Sequence, residues 1–101
     1  MRTVHIATNL TIAPSTGEPS FAAELPEGTD PALCVVHLTA RVEVEPGVDC
    51  YVPAALVPTE DGSQPGPLIG CTGAPNGVPH VFIQSERTDT LTGVTAIVET
   101  A

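Results

Sequence analysis

Leu33-Cys34-Val35-Val36-His37-Leu38-Thr39-Ala40-Arg41-Val42-Glu43-Val44-Glu45 is the stretch on which the reading of the fold turns. Cys34, Val36, Leu38, Ala40, Val42 and Val44 occupy every second position, opposite His37, Thr39, Arg41, Glu43 and Glu45. A period of two with one apolar face describes a β-strand half-buried against a core. At ~3.4 Å per residue the segment reaches about 40 Å, longer than a usual strand, so it is expected to bend, bulge or project past its own sheet. Glu45-Pro46-Gly47 ends it.

Working outward from this strand, the flanking segments repeat its grammar. Toward the N-terminus, residues 3 to 12 alternate, with Val4, Ile6, Leu10 and Ile12 on one side and Thr3, His5, Ala7, Asn9 and Thr11 on the other; Thr8 is the one interruption. Between Pro14 and Pro31 lies an apolar island, Phe21 to Leu25, readable as a short strand or as one helical turn begun at Ser20. Toward the C-terminus, Cys50 to Val57 and Leu68 to Thr72 are apolar enough for short strands, joined through Thr59-Glu60-Asp61-Gly62. The prolines around them cannot donate to a ladder, which places these two on sheet edges or in arms.

Pro75-Asn76-Gly77-Val78 is a turn, and a strand follows from His80 to Ser85. The last strand, Leu91 to Thr100, has Val94, Ala96 and Val98 on one face and Thr95, Ile97 and Glu99 on the other. Both faces are partly apolar, so each calls for cover. Six to seven strands without a helix-period segment predict an all-β, single-domain antiparallel β-sandwich (Ig-like or small jelly-roll) or a small barrel. The expected single domain spans residues 1–101, with Pro/Gly-rich loops or arms near 13–32 and 46–79.

Composition narrows function more than it names it. Apolar residues form 42% of the chain and charged ones only 15%, which suits an ordered domain despite the 11 prolines and 9 glycines. Phe21, Tyr51 and Phe82 are its only aromatic residues, so aliphatic side chains must fill the core, and burial against copies of itself or a partner would add to a small interior. The net charge is −9, and the only basic residues are Arg2, Arg41 and Arg87. Phosphate backbones and anionic membranes both need clustered cations, so no nucleic-acid and no membrane partner is expected. The N-terminal residues lack the apolar run of a signal peptide or a membrane span, which predicts synthesis in the cytoplasm without a signal peptide.

The residues able to carry chemistry are scattered. Cys34, Cys50 and Cys71 are an odd number, read as reduced and mostly buried thiols. Cys34 and His37 could be combined with Cys50, Cys71, His5 and His80 into a zinc site, but positions 34 and 37 of a strand point to opposite faces. Cys71, within Ile69-Gly70-Cys71-Thr72-Gly73, is the better candidate nucleophile of the three, although no companion base is evident. His5 and His37 are read as facing outward, able to form a pH-responsive contact if their strands are neighbours.

Glu43, Glu45, Asp49, Glu60 and Asp61 lack a calcium-loop pattern and read as a solvated acidic face. Gly62, Gly66, Gly70, Gly73 and Gly77 read as turn residues rather than a phosphate cradle. Asn9-Leu10-Thr11 matches a glycosylation acceptor only formally, since Asn9 falls mid-strand.

No catalytic, cofactor-binding or metal residues are therefore expected, and no cofactor. The leading expectation is a non-enzymatic structural protein acting through protein–protein contacts, with itself as a homo-oligomer and with a larger assembly such as a capsid. Within that class the type of molecule suits a phage virion component, a capsid-decoration or head–tail accessory protein incorporated in the virion. The alternatives are an acidic interaction or inhibitory module binding a basic partner, and a small enzyme dependent on Cys71.

Overall fold

A computed structural model describes residues 2–57, 59 and 68–101 of the chain. Seven strands follow one another: β1 (Arg2–Ile12), β2 (Phe21–Glu24), β3 (Cys34–Glu45), β4 (Val48–Pro53), β5 (Leu68–Gly73), β6 (His80–Ser85) and β7 (Leu91–Thr100). Single turns of 3-10 helix cover Pro31–Leu33, Ala54–Leu56 and Pro75–Gly77. The first starts where the Asp30 side chain accepts a hydrogen bond from the Ala32 backbone N–H at 3.0 Å. The connection expected at Thr59-Glu60-Asp61-Gly62 lies, but for Thr59, outside the described residues.

The strands form two antiparallel sheets, ordered β1-β7-β3-β4 and β2-β6-β5, that stack as a β-sandwich. The first strand pairs with the last in one sheet, and the second with the second-to-last in the other. This nesting departs from the immunoglobulin order, in which the first two strands are neighbours. Both proline-flanked segments, β4 and β5, take edge positions, as a strand unable to donate throughout requires. The island at Phe21 resolves as a strand because its backbone completes β6: Ala22 pairs with Phe82 and Glu24 with His80.

The core lies between the sheets. Ile12, Ala40, Val94, Ala96 and Val98 from the larger sheet meet Val81 and Ile83 from the smaller one, all fully buried. Close approach is set at Gly70 of β5, where a Cβ atom would stand 2.5 Å from Val36 Cγ1. Only a glycine lets β5 lie this near β3, so Gly70 and Gly73 are strand residues rather than the turn residues expected, while Gly77, at φ +80°, does belong to a turn.

One edge of the core is closed by charge. Arg87, 3% exposed, donates from Nε and Nη2 to the two carboxylate oxygens of Asp89 at 2.8 and 2.9 Å, and from Nη1 to the Val57 carbonyl at 2.6 Å. The guanidinium thereby fastens the segment after β4 to the turn before β7.

β1 departs from simple alternation. Ala7 pairs with Ala96 and Leu10 with Val94, so three residues of β1 oppose two of β7, and the extra residue forms a bulge at Thr8-Asn9. Asn9 takes φ 58° there. Leu10 and Ile12 therefore face the core, while Ile6 faces out at 55% exposure and His5, opposite Val98, faces in. The common face expected for Ile6, Leu10 and Ile12 is thus broken in the middle, and the outward placement expected for His5 is reversed.

The long strand projects, as its length requires. The described residues span 42 × 30 × 17 Å, and the β3–β4 hairpin overhangs the smaller sheet. Its inner face carries Val44 at 57% and Val48 at 47% exposure, with Cys50 also open to solvent.

Candidate interaction surface

The side chains exposed on the larger sheet are positioned by cross-strand pairing, because directly opposed residues share a face. On the outer face Arg41 is opposite Tyr51, Glu43 opposite Asp49, and His37 opposite Ile97. Tyr51 is 69% exposed and anchors the row nearest the β4 edge. The Thr8-Asn9 bulge in β1 lies near a second register shift in β7, where Leu91 and Val94 oppose Ile12 and Leu10 across the extra residues Thr92-Gly93. Gly93 takes φ +68°, and the Arg41 side chain lies over it. These two irregularities open a shallow cleft of about 320 Å3 lined by Thr8, Asn9, Arg41, Tyr51, Gly93 and Thr95.

The cleft offers a guanidinium, a phenol, an amide and two hydroxyls, and its lining has no carboxylate. Such a set suits the oxygen atoms of an acidic side chain better than an apolar ligand. Sequence reasoning passed over it. The signal was present in Thr8, which interrupts the alternation where the bulge forms.

A second cleft of about 450 Å3 sits at the end of the smaller sheet, lined by Glu24, Leu25, Glu27, Gly77, Val78 and Pro79. Its two carboxylates give it the opposite polarity.

The residues singled out for chemistry do not converge. Cys34 is half-buried on the inner face of β3, its thiol donating to the Asp30 carbonyl at 3.4 Å, while His37 lies on the outer face with Nε2 3.5 Å from Glu99 Oε2. Cys50 lies on the overhanging hairpin and Cys71 on the outer face of β5, both exposed. The expectation of mostly buried thiols is therefore corrected: alternation gives the side a residue faces but not how far the opposing sheet extends. All three thiols are free.

Cys71 is directly opposite Phe82, and His80 follows one row along the same face. The His80 ring stacks on Phe82 with centroids 5.7 Å apart, and its Nδ1 lies 2.8 Å from the Val78 carbonyl. No hydrogen bond joins it to Cys71 among the described residues.

β7 separates β1 from β3, so His5 and His37 are not on neighbouring strands. His5 Nε2 is buried without a hydrogen-bond partner. Among the described residues no three of His, Cys, Asp and Glu come together as metal ligands, and no helix is long and apolar enough to cross a membrane. Glu60, Asp61, Gly62 and Gly66 lie outside the described residues. Asn9 of the formal glycosylation acceptor is exposed at the bulge.

No protein-family model matches the chain, and no curated protein or solved structure is significantly similar to it.

Proposed function

We propose that this chain is a non-enzymatic structural protein that works by packing into a larger assembly, with copies of itself and with other subunits. The observation that carries this reading is the β3–β4 hairpin, a two-stranded arm that leaves Val44, Val48 and Tyr51 uncovered. Apolar side chains held out on a strand pair cost solvation and gain only when another surface meets them. The partly apolar outer face of β7 and β1, at Ile97 and Ile6, extends the same invitation. The narrower reading is a virion component of a tailed phage, in the manner of a capsid-decoration or head–tail accessory protein; it rests on the type of molecule, small, acidic and β-stranded.

Light scattering on the size-exclusion eluate tests the general reading. A dimer or higher species, or binding to a preformed particle, is the expected result. A monodisperse monomer with salt-sensitive attachment to a basic protein would favour instead an acidic interaction module, for which the Glu24–Glu27 cleft is the natural seat.

A further inference from the structure

We infer that a second copy of this chain adds to the free edge of β4, antiparallel about a two-fold axis at Cys50, joining the two larger sheets into one of eight strands. This inference rests on the assembly reading above and names its partner and register.

Edge strands are templates for pairing with another chain unless something blunts them. Two of the four edges in this sandwich, β1 and β2, are blunted. β1 has three register shifts along its length, and bulges twist a strand away from a flat partner. β2 is four residues long, closed in by Pro19 and Pro26. β5 is tied near its end to the chain at Pro31, whose carbonyl accepts a hydrogen bond from Thr72 Oγ1 at 2.7 Å, and its exposed side chains, Ile69 and Cys71, carry no charge to specify a register. β4 has Pro46 two residues before it, Pro53 as its last residue and one register shift beside Glu45, but among the described residues no chain crosses it, five of its six residues are exposed, and Asp49 and Tyr51 give it side chains able to specify a register.

The register follows from the side chains. Joining two copies so that inner faces meet inner faces requires an even sum of paired residue numbers, since successive residues alternate. Centring on Asp49 would oppose two like carboxylates, and centring on Tyr51 would draw Pro53 into the ladder against Asp49. Centring on Cys50 avoids both.

It places Asp49 of each copy opposite Tyr51 of the other, and Val48 opposite Val52. The outer-face row then runs Arg41 and Tyr51 from one copy, Asp49 and Glu43 from the next. Within one copy Glu43 and Asp49 are directly opposed like charges, an arrangement that is unfavourable alone. In the pair that acidic couple faces the carboxylate-free side of the cleft, where Arg41 has no ion-pair partner among the described residues. On the inner face Val48 gains Val52 of the other copy as a neighbour.

Directly opposed Cys50 residues would have Cβ atoms about 4.5–5.5 Å apart, so a short bismaleimide linker reads the register. With the reduced chain, the Cys71→Ser variant is expected to give a covalent dimer and the Cys50→Ser variant none. Asp49→Lys should weaken self-association at least about tenfold, and Arg41→Glu added to it should restore much of the loss. Self-association without a Cys50 cross-link, or indifferent to Asp49→Lys, overturns the β4 pairing and leaves the assembly reading standing. A chain that stays monomeric at every concentration overturns the pairing and self-assembly together.

Discussion

Gly70 and Val36 face each other across the sandwich so closely that a Cβ on Gly70 would stand 2.5 Å from Val36 Cγ1 and 3.3 Å from Leu38 Cδ1. One methyl group there forces Val36 or the β5 backbone to shift. Gly70→Ala is expected to lower the free energy of unfolding by about 1–3 kcal/mol, read from urea transitions. Val36→Ala in the same chain should return part of that loss, and equal effects in the presence and absence of Val36 would contradict the close approach.

The Arg87–Asp89 pair supports a second expectation. Asp89→Ala deprives the buried guanidinium of the carboxylate at Nε and Nη2, at a cost of about 3–5 kcal/mol. Replacing both residues by apolar ones, Arg87→Met with Asp89→Leu, should cost distinctly less than Asp89→Ala alone. A double-mutant cycle with no coupling would show that the pair does not fasten the segment after β4.

His5 gives a change in the other direction. Its Nε2 is shut away from solvent without a partner, and an unsatisfied buried nitrogen costs more than an apolar atom in its place. His5→Leu is expected to stabilise the fold by about 1 kcal/mol. Destabilisation by that substitution would mean that the nitrogen is satisfied in solution.

At the bulge, Asn9 holds φ 58°, a conformation open to Asn and Gly and costly for β-branched residues. Asn9→Gly should leave stability within about 0.5 kcal/mol, while Asn9→Val should cost about 1–2 kcal/mol. The comparison is made by thermal or urea denaturation, and two equal losses would remove the bulge from the argument.

Thiol accessibility separates the cysteines. In the reduced chain, diluted until it is monomeric, Cys50 and Cys71 are expected to react with a maleimide at similar rates, and Cys34 more slowly. Peptide mass spectrometry over a time course measures this. Labelling of Cys71 far ahead of an equally exposed Cys50 would revive the reading of a cysteine-dependent enzyme.

The sequence shows most of the fold where local chemistry and tertiary packing agree. Cys34 to Glu45 alternates without a break and forms β3 over nearly the expected bounds, and the proline-flanked β4 and β5 go to edges for the reason their prolines give. β1 was legible only in part. A bulge adds one polar residue to a strand that already alternates polar with apolar, so Thr8-Asn9 reads as a lapse in pattern rather than as a reversal of faces. The exposure of Cys50 was hidden for a different reason: it depends on where the smaller sheet stops, a property of strands far away in sequence. The cleft at Arg41 combines both difficulties, since it needs irregularities in β1 and β7 brought side by side.

The placement of β7 between β1 and β3 has a consequence for the order of events during synthesis. The strand made last is the one that both earlier strands pair with, so neither can complete its ladder on the larger sheet until residues 91–100 have been synthesised. The core face of that sheet depends on the same strand, through Val94, Ala96 and Val98. Folding of the sandwich is therefore tied to late, long-range closure, and a growing chain presents the apolar faces of β1 and β3 until that closure, the interval in which it is most exposed to aggregation.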